Sequence, residues 1–229
     1  RGAVRSEVRQ RGIFSVPVYR LELKVEGEFA RPDLVALGIE PSEILWHRAQ
    51  LAVGIADARA IQQETAVTWN DERFSFLPGT GDFEESDVGI HAPLDLTPPA
   101  DRYAFSFPLV LNGSLALSFT PFGKQTDVEL TADARNPSFQ GNWLPTEREI
   151  SSDQFTARWS IPFLGRNYPQ AWTRFDSGES LVNAISGSRF GVGFVDPVDH
   201  YRMAERSVKY AGLFILLTFA TVWLVDVLA

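Results

Sequence analysis

Three histidines, 29 carboxylate side chains and no cysteine are the reactive stock of this 229-residue chain. Without cysteine there is no disulfide, thiolate-bound zinc, iron–sulfur cluster or cysteine nucleophile. His47, His91 and His200 lie more than forty residues apart, far from the short spacings that present two imidazoles to one metal. Neither a metal nor a cofactor is expected. A serine nucleophile on a strand-to-helix elbow needs Gly-x-Ser-x-Gly, and the nearest run, Gly187 to Gly193, lacks that spacing and reads as a strand. Pro78-Gly79-Thr80-Gly81 has the glycines of a phosphate loop but no Gly-Lys-Ser/Thr and no following helix, so it reads as a turn. Asp82, Glu84, Glu85 and Asp87 could offer oxygens to calcium, yet they lack the register and glycine of an EF-hand and read as a solvated loop. Two carboxylates meeting across a cleft, the arrangement of glycoside hydrolysis, stay open, because spacing in sequence does not report spacing in space. No catalytic residue is singled out.

The segment that does stand out is Arg135 to Ile150, RNPSFQGNWLPTEREI. Pro137, Gly141 and Pro145 restrain its backbone while Phe139, Trp143 and Leu144 remain apolar. Such a segment is either a packed crossover or an exposed contact surface. Phe139, Gln140, Asn142, Trp143 and Leu144 are therefore the candidate partner-contact residues.

The elements that must position these residues are mainly strands. Val18 to Phe29 alternates Tyr19, Leu21, Leu23, Val25 and Phe29 with Arg20, Glu22, Lys24, Glu26 and Glu28, the pattern of a half-buried antiparallel strand. Tyr103 to Leu111 alternates likewise, and Leu115, Leu117 and Phe119 follow Asn112-Gly113, which predicts a β-hairpin turning at that pair. Asn112-Gly113-Ser114 also matches a glycosylation acceptor pattern, to which a tight turn gives no functional weight. Further strands are expected at Ala49–Ile55, Ala66–Trp69, Phe74–Leu77, Thr126–Ala132, Phe155–Trp159 and Phe190–Val195. A short helix is expected at Pro32–Leu37, with Gly38 as its cap. Fourteen Pro, 17 Gly, 17 Phe and six Trp agree with short strands, many turns and aromatic packing. The fold class is thus mainly β: an antiparallel β-sandwich-like domain with short helices. The tetrapeptide Ala-Asp-Ala-Arg occurs at 56–59 and again at 132–135, which chance explains better than duplication.

Tyr210 to Val225, YAGLFILLTFATVWLV, carries no charge and is bracketed by Lys209 and Asp226. Extended over Val208–Leu228 it would reach about 30 Å as a helix, the thickness of a bilayer's hydrocarbon core. The domain is expected to end in this C-terminal transmembrane helix, entered by a helix from about Val198, with the bilayer as a partner. Arg1, Arg5 and Arg9 are spaced as on one face of a helix, so residues 1–16 are expected to be a basic juxtamembrane stalk. The sequence opens at Arg1 rather than Met, as expected of a piece that begins upstream. Residues 17–197 would be the β-rich domain, with a break into two halves near 96–100 at Pro98-Pro99, and 198–229 the membrane helix.

Charge follows the same division. Arg1, Arg5, Arg9, Arg11 and Arg20 against Glu7 give the first twenty residues +4. Arg202, Arg206 and Lys209 against Glu205 and Asp226 give 201–229 +1, leaving −13 on the body between. Such a body repels nucleic acid, which is not an expected partner.

Asn136-Pro137-Ser138-Phe139-Gln140-Gly141-Asn142-Trp143-Leu144-Pro145 with Arg148-Glu149-Ile150 resembles the Pro-Ser-Phe-x-Gly-x-Phe-Leu-Pro signature of the CreD family, bacterial inner-membrane proteins linked to cell-envelope integrity. The resemblance extends in order through Val53 to Arg59, Pro78 to Gly81, Gly89 to Leu94 and Arg206 to Phe219, so it covers nearly the whole chain. Asn136 stands where histidine would be expected and Trp143 where phenylalanine would be, which argues against a catalytic histidine at 136. The resemblance implies a membrane helix before this sequence, a domain facing the periplasm, and further membrane helices after it. It also implies an envelope-stress regulon with effects on colicin tolerance and β-lactam response. It offers no catalytic residue. Arg206 and Lys209, just before the span, would by the positive-inside rule place the domain in the cytoplasm, against the resemblance. The leading expectation is a non-enzymatic envelope protein whose domain contacts an envelope protein or peptidoglycan. The alternatives are a peptidoglycan- or lipid-modifying enzyme with a carboxylate pair, or an accessory domain of a transporter.

Overall fold

The computed structural model of the chain describes residues 1–11, 14–81, 88–134, 136–173, 175–176, 178–194 and 198–228. The acidic loop Asp82 to Asp87 lies outside the described residues. Residues Arg1–Phe194 form one compact unit and Val195–Ala229 a second.

The first unit opens with strands β1 (Gly2–Arg11), β2 (Phe14–Ala30), β3 (Ala49–Gly54), β4 (Ala66–Trp69) and β5 (Glu72–Ser75). It continues through β6 (Leu77–Pro78), β7 (Gly89–Leu94), β8 (Arg102–Ser114), β9 (Ala116–Phe119) and β10 (Gln125–Ala132). β11 (Pro137–Gly141), β12 (Glu147–Ile150) and β13 (Phe155–Pro162) precede a nine-residue helix α1 (Glu179–Gly187), and β14 (Phe190–Phe194) closes it. The strands form one eight-stranded sheet, β12-β13-β10-β1-β2-β8-β4-β5, and two three-stranded sheets, β11-β14-β9 and β3-β7-β6.

The alternation read in the sequence sets the faces of the long sheet. Across β2 and β8, Leu21 faces Leu111, Leu23 faces Leu109 and Val25 faces Phe107. On the opposite face Arg20 pairs with Glu22, Lys24 with Glu26 and Arg102 with Glu28, all exposed. The sheet β11-β14-β9 covers one part of the apolar face. There Val4, Leu130, Phe155, Trp159, Phe190 and Val192 share a buried core. The sheet β3-β7-β6 covers another part, where Val67, Ile90, Ala92, Phe107 and Leu109 are buried together. One pairing is not antiparallel: β1 runs parallel to β10, Gly2 opposite Leu130.

Three expectations are corrected. The stalk expected over residues 1–16 is not helical: Gly2–Arg11 is a strand within the long sheet, with Val4 buried, and Phe14 opens the next strand. A spacing of four is close to a helical turn but is also two strand repeats, so Arg1, Arg5 and Arg9 fit a strand face equally well. The predicted hairpin at Asn112-Gly113 does not form. β8 continues through both residues paired with β2, and the chain leaves for another sheet at Leu115, whose φ is +67°. In a two-residue hairpin, odd positions on one strand oppose even positions on the other. Leu109 and Leu111 would then lie opposite in facing to Leu115 and Leu117, so the apolar parity already argued against the turn. Gly113 is required instead because the ring of Tyr19 lies where its Cβ would be. Finally, 96–100 is no boundary. Leu96 and Ala100 pack on Trp69, Leu94 and Tyr103, and the Ala100 amide donates to the Tyr103 hydroxyl at 2.9 Å.

The helix expected at Pro32–Leu37 reduces to a 3-10 turn at Val35–Leu37, capped by Gly38 at φ +80°. The second unit is one helix, α2 (Val198–Leu228). Within it Val208–Leu228, 21 residues, is the one helix among the described residues long and apolar enough to cross a membrane. Its hydroxyls suit that solvent: Thr218 donates to the Phe214 carbonyl and Thr221 to that of Leu217, leaving neither without a partner in hydrocarbon.

Candidate binding groove

The segment 136–150 divides by facing. Phe139, on β11 opposite Val192, points inward, its ring edge-on to Phe155 and to Trp159 at 5.9 Å each. Trp143 is half-buried against the same core, its ring occupying the space that a side chain at Gly165 would need. Its carbonyl accepts from the Trp159 indole at 3.2 Å. Gly141, at φ +91°, lies where a Cβ would strike the Arg189 carbonyl, which accounts for the glycine in this segment. Gln140, Asn142 and Leu144 are exposed, Leu144 at 69%. Asn142 also donates through its side chain to the Gly187 carbonyl and through its backbone to that of Arg189. Phe139 and Trp143 therefore hold the core, while Gln140, on the edge strand β11, and Leu144, in the loop after it, are exposed. Phe139→Ala is expected to cost about 2–3 kcal/mol, near the lower end for an aromatic truncated in a core, and Leu144→Ala at most about 0.5 kcal/mol. Chemical denaturation of the two variants side by side checks the division.

A broad concavity of the unit lies elsewhere. A groove of about 1570 Å³ runs over β2 and β8, where the two small sheets leave the apolar face of the long one uncovered. Leu23 and Leu111 pack against both buried clusters yet are themselves only half-buried, so they mark the middle of its floor. Leu51, Val53 and Ile55 form one flank, with Leu117 and Phe119 on the other. At one end the Tyr19 hydroxyl donates to the Ala116 carbonyl at 2.7 Å, and burial raises its pKa. It stays neutral at any physiological pH.

Glu7, Arg20, Asp57, Arg59 and Arg189 are the charged residues of its lining. Asp57 is gripped by Arg59, whose Nε and Nη2 donate to its two oxygens at 2.9 and 3.0 Å. Those bonds hold the Asp57 carboxyl below its usual range, the opposite of what a general acid needs. Among the described residues no three histidine or carboxylate groups gather as metal ligands. His91 is engaged structurally, its Nδ1 2.9 Å from the Gly79 carbonyl, joining β7 to the turn after β6. The middle of the groove is thus apolar, and Asp57 at its rim is held ionised by Arg59. Its lining residues were visible in the sequence only as members of alternating strands; which of them stay uncovered depends on how far each small sheet extends.

Three sequence stretches noted above converge beside it. Val53 to Arg59, Pro78 to Gly81 and Gly89 to Leu94 are neighbours in and around the sheet β3-β7-β6. Comparison with known proteins bears on the same stretches, since it covers the whole chain. A family model described as inner membrane protein CreD matches residues 1–229. The inner membrane protein CreD of Escherichia coli strain K12 is 30% identical over 226 residues, which is 97% of this chain and 48% of that protein. The chain thus spans about half the length of the curated relative it matches.

Proposed function

Because the chain belongs to the CreD family of inner membrane proteins, we propose that its β-rich unit is a non-enzymatic interaction module on the periplasmic side of that membrane, serving envelope integrity and stress response. The observation that carries this reading is the groove: about 1570 Å³ of space over a half-buried floor of leucine, valine and phenylalanine, with Asp57 held by Arg59 and so tuned away from acid catalysis. Exposed apolar area of this extent is retained where something binds. The helix Val208–Leu228 tethers the module to the bilayer. Gln140 on β11, with Asn142 and Leu144 in the loop that follows, offers a smaller second contact surface.

Filling the groove tests the reading. Leu23→Trp enlarges a half-buried floor residue into open space, so melting should change little. Envelope function, read as growth of cells under a β-lactam, should fall to that of cells lacking the protein. Unchanged growth with a folded, membrane-bound variant contradicts the proposal. Orientation has its own test, because Arg206 and Lys209 favour the cytoplasmic side by charge alone. Alkaline phosphatase fused after Phe194 in the full-length protein should be active, and a green fluorescent protein at the same point dark; the reverse pair would put the module in the cytoplasm.

A further inference from the structure

We infer that the groove is a vacant strand position, filled by an extended segment of a partner polypeptide with apolar residues at every second place; this rests on the interaction-module reading above and names the partner's chemistry. The layer opposing the eight-stranded sheet has six strands in two groups of three, and no ladder joins the groups among the described residues. Their facing edges are β9 and β3, and both turn their backbones to the groove. Gln50 through Gly54 line it without a gap, as do Ala116 through Phe119. Successive side chains of a strand point to opposite faces, so an unbroken run can line a cavity only if the strand presents its edge.

The ladder phase says which groups are free. Ile55 N–H donates to the Val88 carbonyl at 3.1 Å, and Gln50 lies opposite Pro93, which has no N–H to give. Odd residues of β3 therefore bond β7, and the N–H and C=O of Gln50, Ala52 and Gly54 face the groove. On β9, Phe194 N–H donates to the Leu115 carbonyl at 2.7 Å, so Ala116 and Ser118 turn outward, and Tyr19 already takes the Ala116 carbonyl. Apart from the Ala116 carbonyl, these two rows of backbone groups have no ladder partner among the described residues, and beside an apolar floor they match a polypeptide strand. An acyl chain would satisfy the floor and neither edge.

Size agrees. A six-residue strand is about 20 Å long, and with strands about 4.8 Å apart in sheets about 10 Å apart it occupies roughly 1,000 Å³. The groove, at about 1570 Å³, takes one such strand with room for its side chains. Pairing with β3 and β9 at once would join the two small sheets into one layer over the long sheet. The partner's inward residues would rest on Leu23, Val25 and Leu111, and its outward residues would be polar.

The test uses the full-length protein in lipid nanodiscs and a fluorescent ten-residue peptide alternating valine with threonine, lysine at each end. A peptide of the same composition with its valines consecutive is the comparison. Saturable binding of the alternating peptide is expected, at least about tenfold tighter than the comparison. Ala52→Pro and Ser118→Pro each remove one groove-facing N–H from an edge, where proline leaves the internal ladder intact. Each should weaken binding at least about tenfold with melting unchanged, while Arg148→Pro on the distant edge strand β12 should not. Equal binding of the two peptides, no binding, or indifference to both edge prolines overturns the vacant strand. If a photoactivatable fatty acid labels the groove instead and both peptides fail, the groove is a lipid site and the interaction module stands without its strand.

Discussion

Trp159→Ala is expected to unfold most of the β-rich unit at growth temperature. Trp159 is 1% exposed and sits at the centre of the larger buried cluster, edge-on to Phe139 and 5.6 Å from the Phe190 ring. Truncating so large a buried side chain costs about 3–5 kcal/mol in lost transfer energy and residual cavity. The indole also donates to the Trp143 carbonyl, and leaving that acceptor without a partner adds about 1 kcal/mol. Domains have only about 5–15 kcal/mol in total, so such a loss takes a marginal one below the level at which it persists in a cell. For a domain near two hundred residues the melting temperature should drop by roughly 10–15 °C. Differential scanning calorimetry of the detergent-solubilised protein measures this. A drop under about 3 °C would mean that Trp159 is not the keystone of the packing between the long sheet and β11-β14-β9.

The second large effect concerns the membrane. Leu217→Arg places a charge beside the middle of Val208–Leu228, where insertion of arginine costs about 3 kcal/mol relative to leucine. A segment of this length with no other charge between Lys209 and Asp226 is expected to insert almost completely. The single substitution should bring the inserted fraction of 198–228 down several-fold in a translocon insertion assay. Val208→Arg, at the edge where a long side chain reaches the interface, should change it little. Equal insertion of all three would show that the apolar run is not read by depth, and so is not a span.

Much of the fold was legible because it depends on local parity. The alternation in β2 and β8 gave the correct apolar face, and the uncharged run at the C-terminus gave α2. Errors arose where one spacing serves two structures. Arginines four apart suit a helix or a strand, and only the pairing of β1 with β2 and β10 decides between them. Asn112-Gly113 has the chemistry of a tight turn, but its glycine answers the Tyr19 ring across the ladder, a contact made by register and not by neighbours in sequence. β7 is hidden in the sequence because Pro93 interrupts its apolar run. The proline is tolerated because, among the described residues, β6 pairs with β7 at Ile90 and His91 and stops short of Pro93, so the missing N–H breaks no ladder bond there. α1 is hidden by its length, nine residues ending in glycine.

The candidate site was legible in a different measure. Proline, glycine and aromatic spacing identified 136–150 as a segment under constraint. The sequence could not say that Phe139 and Trp143 are core while Gln140 and Leu144 are surface, because β11 pairs with β14, some fifty residues away. The groove was not legible at all. Leu23 and Leu111 are indistinguishable in pattern from Leu21 and Leu109, which are buried. Their exposure reflects a gap in the opposing layer, set by where β3 and β9 end their sheets.

The most direct test of binding through this groove is photocrosslinking in living cells from the full-length protein. A diazirine leucine analogue at 23 and 111 probes the floor, and photoreactive residues at Gln140, Asn142 and Thr146 probe the second surface. The account predicts a discrete adduct from 23 and 111, lost in the Val25→Trp background that fills the groove. No adduct from either floor position, with the protein folded and in the membrane, would contradict it; adducts from 140, 142 and 146 alone would move the contact to the edge of β11.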